Sequence, residues 1–270
     1  MSPSALEGWY RLAIGTARVA TAALDLTTRV EGLENLPRTG PVILASSHNA
    51  YPDFLPIGVA ARKRGRFVRF MCRHDVWNKS WCAYPMTRMQ HIPVDREAPA
   101  GAYLRARRLL REGNAVGMFP EAGISFSYAV RSLMPGVASL ARETGVPVVP
   151  VVQWGIHRIY SVGRKVDGRE PGPDWTRGRL NDLRFGAPMT VAAGDDLIAW
   201  TRELGATLTG MLEEIQQLPE HRPPPGEYAP WYPAHLGGNA PDRAEARGLD
   251  TVPRSAVAPT WGPPVLPDAG

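Results

Sequence analysis

His48 and Asp53 stand five positions apart in Ser-Ser-His-Asn-Ala-Tyr-Pro-Asp, residues 46–53. An imidazole beside a carboxylate can turn a neutral hydroxyl into a nucleophile. The ring takes the proton, and the carboxylate fixes the tautomer and steadies the imidazolium. The same residues have a plainer reading, in which Asp53 is an ordinary helix N-cap and His48 a solvated loop side chain. What decides between them is which elements hold the pair.

Residues 41–47, Pro-Val-Ile-Leu-Ala-Ser-Ser, predict a short buried strand. Residues 53–65 predict a helix with Asp53 near its start, Pro56 in its first turn and Gly65 past its end. His48 then lies on a strand-to-helix loop, with Asp53 able to fold back toward it. Three further apolar runs predict strands: one ending at Asp95-Arg96, one at 115–119 leading into Pro120 and Glu121, and the β-branched run 146–152. Helical spacing over 103–111 and 136–142 separates them. Strands alternating with helices imply a largely parallel α/β sheet. Active groups of such sheets gather at the loops beyond the carboxyl ends of the strands. His48, Arg96 and Glu121 each follow a strand, so all three can meet at one edge.

In order, the blocks are His48 to Asp53, Ile-Pro-Val-Asp-Arg (92–96), Phe-Pro-Glu-Ala-Gly-Ile-Ser (119–125) and Val-Pro-Val-Val-Pro-Val (146–151). Over roughly residues 28–218 the chain resembles the glycerolipid acyltransferases typified by 1-acylglycerol-3-phosphate acyltransferase. That family has a His-x4-Asp block, a block ending in Arg, a Phe-Pro-Glu-Gly-Thr-Arg-Ser block and an apolar Pro-rich strand. The resemblance implies His48 as general base and Asp53 as its orienter. It implies Arg96 as the cation for an acceptor phosphate and Glu121 as a positioner of the acceptor's polar groups, with Gly123 and Ser125 also in the substrate-binding block. The third block departs from the family, because Ala122, Gly123 and Ile124 stand where Gly, Thr and Arg are usual. A guanidinium binds phosphate bidentately where Ile cannot, and Arg131 is the candidate substitute.

The reaction implied is transfer of a fatty acyl group from a thioester, acyl-CoA or acyl-carrier protein, to the free hydroxyl of a lysophospholipid. Lysophosphatidate is the leading acceptor. No metal and no further cofactor are implied. Other lysolipids or glycolipids as acceptor, or a lipid-binding protein of the same fold without turnover, are the alternatives. A Ser-His-Asp hydrolase lacks its Gly-x-Ser-x-Gly elbow here, since Ser125 sits in Gly-Ile-Ser-Phe-Ser.

The 270 residues fit one α/β domain with appendages. Cys72 and Cys82 are too few for a disulfide framework. With His74 and His91 they lack zinc-site spacing. The net charge is +5, yet residues 219–270 carry four arginines against six carboxylates, so the body is the more basic part. Arginines and a lysine crowd residues 61–73, and Arg105, Arg107, Arg108 and Arg111 form a second group. Such a face attracts anionic lipid or coenzyme A phosphates. No nucleic-acid motif accompanies it, and no nucleic acid is expected as partner.

Residues 4–26 predict an amphipathic helix that Arg11, Arg18 and Asp25 interrupt, which suits neither a membrane span nor a signal peptide. It reads equally as an interfacial helix or as one packed on the core. Residues 195–218 predict a core-packing helix. Beyond it, 12 of the 27 prolines fall in residues 219–270, which predicts a largely irregular or disordered tail that cannot form a packed core. The organisation expected is therefore an N-terminal helix over 1–27, an acyltransferase-like α/β domain over 28–218 with a mostly parallel sheet flanked by helices, and a Pro-rich tail. The location expected is peripheral, on the cytoplasmic face of the membrane.

Overall fold

The computed structural model describes residues 3–95, 98–165, 167–251 and 256–257. Seven strands form one sheet: β1 (Thr27–Glu31), β2 (Val42–Ser46), β3 (Val68–Arg73), β4 (Ile92–Val94), β5 (Ala115–Met118), β6 (Val148–Trp154) and β7 (Leu180–Phe185). Their order is β1-β7-β6-β2-β5-β3-β4. Every pairing is parallel except β6 with β7. Parallel strands need crossovers, and the helices supply most of them. They are α2 (Phe54–Lys63), α3 (Ser80–Arg88), α4 (Ala100–Arg111) and α5 (Gly136–Thr144), with α1 (Pro3–Ala23) before the sheet and α6 (Leu197–Gln216) and α7 (Arg243–Leu249) after it. β2 and β6 are buried along their whole length because both faces are covered, which is why they read as continuous apolar runs. One core layer joins α4, α5 and α6 to the sheet, and the other sets α2 against Val68, Phe70 and Val149.

Three strands escaped the periodicity reading. β1 is almost wholly polar, β7 carries adjacent polar residues that break the alternation, and β3 lies inside the arginine-rich stretch. That stretch is not one solvated basic face. Arg64 donates to the Leu36 carbonyl at 3.0 Å, Arg66 to that of Gly40 at 2.6 Å and Arg69 to that of Met89 at 2.9 Å. Arg66 and Arg69 are buried. Their guanidiniums satisfy turn carbonyls that have no strand partner. Cys72 is largely buried, and burial pushes its thiol up to about 12. His91 accepts the Phe70 amide at 3.0 Å, and burial holds its ring far below the usual range, at about 3.

α1 packs one face on the domain: Tyr10, Ile14 and Ala17 are buried, and the Tyr10 hydroxyl donates to the Val68 carbonyl at 2.7 Å. Its other face leaves Leu12 and Val19 exposed. Among the described residues no helix is long and apolar enough to cross a membrane.

The segment from 219 to 251 is mostly irregular, as its prolines dictate, but it is packed. Ala229 and Tyr232 enter the main core, where the Tyr232 hydroxyl donates to the Gln216 carbonyl at 2.8 Å. His221 Nε2 meets Asp182 Oδ2 at 2.6 Å, and Arg29 grips the same carboxylate at 2.6 and 2.7 Å. A Pro-rich chain cannot build a core, but it can add side chains to one that α6 and β6 already provide.

Candidate active site

The carboxyl edge of the parallel strands gathers the chemistry. β2 ends at Ser46, and the chain turns through residues 47–53 into α2. Asp53 stands at the N-cap position yet makes no side-chain bond to the helix. Its carboxylate turns back instead. Oδ2 accepts from His48 Nδ1 at 2.9 Å, from the Asn49 amide at 2.7 Å and from the Ala50 amide at 2.9 Å. The cap reading of Asp53 is thereby replaced by one in which three donors converge on one oxygen. Asp53 is fully buried, and the His48 side chain is 20% exposed. With Nδ1 donating, Nε2 carries the lone pair, and it has no partner among the described residues.

The ring is also held by its face. His48 stacks on Phe119, with centroids 4.3 Å apart and planes 27° off parallel, and Phe119 stacks on Phe70. Phe70 lies against Gly117 of β5, where a Cβ would stand 2.4 Å from the ring. A larger residue at 117 would therefore shift the stack that seats His48. Behind the loop, Gln153 Nε2 donates to the Asp53 carbonyl at 2.7 Å, Asn49 Nδ2 to the Gln153 carbonyl at 3.1 Å, and Ser161 Oγ to the Asn49 carbonyl at 2.5 Å. Phe119, Gln153 and Ser161 carried no sequence signal for this role. Stacking and backbone bracing depend on neighbours that only folding supplies.

Glu121 sits beneath the His48 loop, 1% exposed. Oε1 accepts the His48 amide at 2.7 Å, and Oε2 accepts the Arg131 amide at 3.0 Å. Both oxygens thus face backbone donors. Arg131 Nε and Nη2 donate to the Glu121 carbonyl at 3.2 and 3.0 Å, and the guanidinium is 8% exposed. Ser125 Oγ lies 2.9 Å from Ser127 Oγ and donates to Asp250 Oδ2 at 3.1 Å. Gly123 and Ile124 lie in the same loop, where Ile124 is buried. The fold therefore brings His48, Asp53, Glu121 and Arg131 into one bonded network and places Ser125 on its far side. Arg96 lies outside the described residues.

Burial pushes the Glu121 carboxyl up to about 8, against the amide donors of Arg131 and His48 and the Arg131 charge, which favour the anion. A carboxyl raised in the folded state adds stability that is complete below the ordinary glutamate range. That stability is lost as pH rises through about 8. In melting curves from about pH 5 to about pH 9, the native chain is expected to lose stability relative to Glu121→Gln as pH rises. Parallel pH profiles for the two proteins would contradict this burial effect.

Residues 27–154 match the family model described as Acyltransferase. The chain is therefore similar to the acyltransferase family over just under half of its length. Over 128 residues the chain is 28% identical to the 1-acyl-sn-glycerol-3-phosphate acyltransferase of Bacillus subtilis, covering 47% of this chain and 62% of that protein. Over 138 residues it is 28% identical to a chloroplastic protein of that name from Arabidopsis thaliana, LPAT1, covering 50% of this chain and 38% of that one. The chain thus spans less than two thirds of the length of these relatives. The crystal structure of the 1-acyl-sn-glycerophosphate (LPA) acyltransferase PlsC from Thermotoga maritima superposes with a TM-score of 0.62 at 20% identity. The match covers 77% of this chain and 80% of that one, and it shares the mostly parallel sheet flanked by helices.

The matched stretch contains both the His48–Asp53 loop and the Glu121 loop. Ala122, where the family has glycine, adopts a left-handed φ of 55°. A Cβ is disfavoured in that conformation, so the turn itself accounts for the family's glycine. Ile124, in place of the family's arginine, packs inward, and Arg131 on the same loop is engaged with Glu121.

Proposed function

We propose that this chain transfers a fatty acyl group from a thioester to the free hydroxyl of a lysophospholipid, with 1-acylglycerol 3-phosphate as acceptor and acyl-CoA or acyl-carrier protein as donor. The observation that carries the reading is the bond from His48 Nδ1 to Asp53 Oδ2, which leaves Nε2 as the free base at the strand edge. The acceptor hydroxyl gives its proton to Nε2 as its oxygen attacks the thioester carbonyl. The tetrahedral adduct collapses, the carbon–sulfur bond breaks, and the imidazolium returns the proton to the departing thiolate. A thiolate leaves readily because thiols are far more acidic than alcohols. Asp53 steadies the imidazolium while it lasts. No acyl-enzyme and no metal enter the sequence.

Arg96 neutralises the acceptor phosphate in this reading. The exposed Leu12 and Val19 of α1, and the exposed Trp81 and Tyr84 of α3, support a peripheral seat on the cytoplasmic, anionic face of a membrane, where the acceptor resides. Nucleic acid has no part in it.

The test is a panel of acyl-CoA with 1-acylglycerol 3-phosphate, other lysophospholipids and glycerol 3-phosphate. Transfer to 1-acylglycerol 3-phosphate is expected. Arg96→Ala is expected to raise KM for that acceptor about 10- to 150-fold, the worth of a charge-assisted hydrogen bond of roughly 1.5–3 kcal/mol. One observation favours a second reading, an acceptor without a phosphomonoester: Ile124 packs inward, and Arg131 bonds to Glu121. Turnover with such an acceptor, indifferent to Arg96→Ala, would select it.

A further inference from the structure

The C-terminal segment reaches back to the loop that holds the base. Asp250 Oδ1 accepts the Phe126 amide at 3.0 Å. Its Oδ2 accepts from Ser125 Oγ at 3.1 Å and lies 3.4 Å from Arg131 Nη1. The Arg131 and Asp250 side chains are 8% and 5% exposed, so this pair is shielded from water. Arg131 Nη2 also donates to the Thr251 carbonyl at 3.4 Å, and Leu133 exchanges two backbone bonds with Val257. The segment is itself anchored. Asp242 caps α7 by accepting the Ala244 and Glu245 amides at 2.8 Å, and Glu245 grips Arg164. A buried carboxylate facing a guanidinium, a hydroxyl and an amide has fixed geometry, because leaving any of the three donors unpaired is costly.

We propose that Asp250 is a positioning residue for His48. It fixes Arg131 and the 125–127 turn. Arg131 in turn holds Glu121 by carbonyl and carboxylate, and Glu121 holds the His48 amide. The route from the tail carboxylate to the base is thus an unbroken series of polar contacts, and it lies outside residues 27–154 at its starting end. The proposal rests on the acyltransferase reading for its kinetic consequence but not for its structural one.

The experiment compares the full chain with Asp250→Ala and Asp250→Asn. It measures kcat and KM with acyl-CoA and 1-acylglycerol 3-phosphate, and backbone amide exchange over residues 46–50, 121–131 and α6. Loosening a base by about 1 Å costs on the order of 100-fold. For Asp250→Ala a fall in kcat of roughly 10- to 100-fold is expected, with KM held. Exchange should quicken over both 46–50 and 121–131 while α6 is unchanged. Asp250→Asn keeps an acceptor for the Phe126 amide but not the charge, so it should fall between. Exchange that quickens over 121–131 alone would overturn the proposal, as would a rise in KM with kcat unchanged. If Asp250→Ala does not fold, Asp250→Asn decides by the same criteria. If the native chain transfers no acyl group to any acceptor, the acyltransferase reading fails by itself, and exchange over 46–50 still decides the positioning claim.

Discussion

His48→Ala is expected to lower kcat by roughly 10²–10⁴, the range for a positioned general base. The ring sits at the rim of the site, bonded among the described residues only through Nδ1 and stacked on Phe119. Its removal therefore takes away the base and leaves the loop braced by the bonds of its backbone: the His48 amide to Glu121 and the Asn49 and Ala50 amides to Asp53. KM for both substrates should change little, because Nε2 makes its decisive contact only as the hydroxyl loses its proton. Near-native turnover from a folded His48→Ala protein would end the proposed mechanism. A melting curve superposing on the native one is the accompanying control.

Asp53→Ala should be the more damaging of the two, because it strikes fold and chemistry together. Three donors lose their acceptor at a fully buried position. Removing one partner from a buried charged cluster costs about 3–5 kcal/mol, and turnover should fall at least as far as in His48→Ala. Asp53→Asn separates the two effects. The Asn49 and Ala50 amides demand an oxygen at the Oδ2 position, while Oδ1 has no partner of its own among the described residues. The new amide should therefore present its oxygen to the three donors and place its NH₂ at the unpartnered side. The tautomer of His48 is kept, and what is lost is the charge that steadies the imidazolium. A charged bond exceeds a neutral one by about 1–2 kcal/mol, so a kcat loss of roughly 5- to 30-fold is expected, with most of the stability retained. A loss near 10⁴, the size seen when an orienting carboxylate's replacement inverts the tautomer, would show that the amide had turned the other way. Denaturant melts and kcat on all three proteins check both statements.

The His48–Asp53 spacing, the strands ending at the site and the helix after Asp53 are legible because each is written locally. An apolar run between turn residues makes a buried strand, and a carboxylate five residues past a histidine can reach it only if a tight turn intervenes. The structure supplies that turn at 47–53. β1, β3 and β7 were not legible. Their polar or arginine-rich composition hides them, and they become strands through partners far away in sequence, as Thr27 pairs with Leu180 and Val68 with Ala115.

Residue type alone placed a histidine, its carboxylate and a glutamate after strands. It could not settle where the charges point. Glu121 and Arg131 read as groups facing a substrate, but burial against the His48 loop turns both onto backbone donors and carbonyls. Likewise the prolines of the tail bear only on its backbone, because a proline supplies no amide donor. They say nothing of docking, since Tyr232 and Asp250 find their partners in a core and a loop made by other elements. Local pattern determines which elements form and which groups they carry. Only the packing of those elements decides which polar atoms are consumed in holding the site and which, like His48 Nε2, are left free to act.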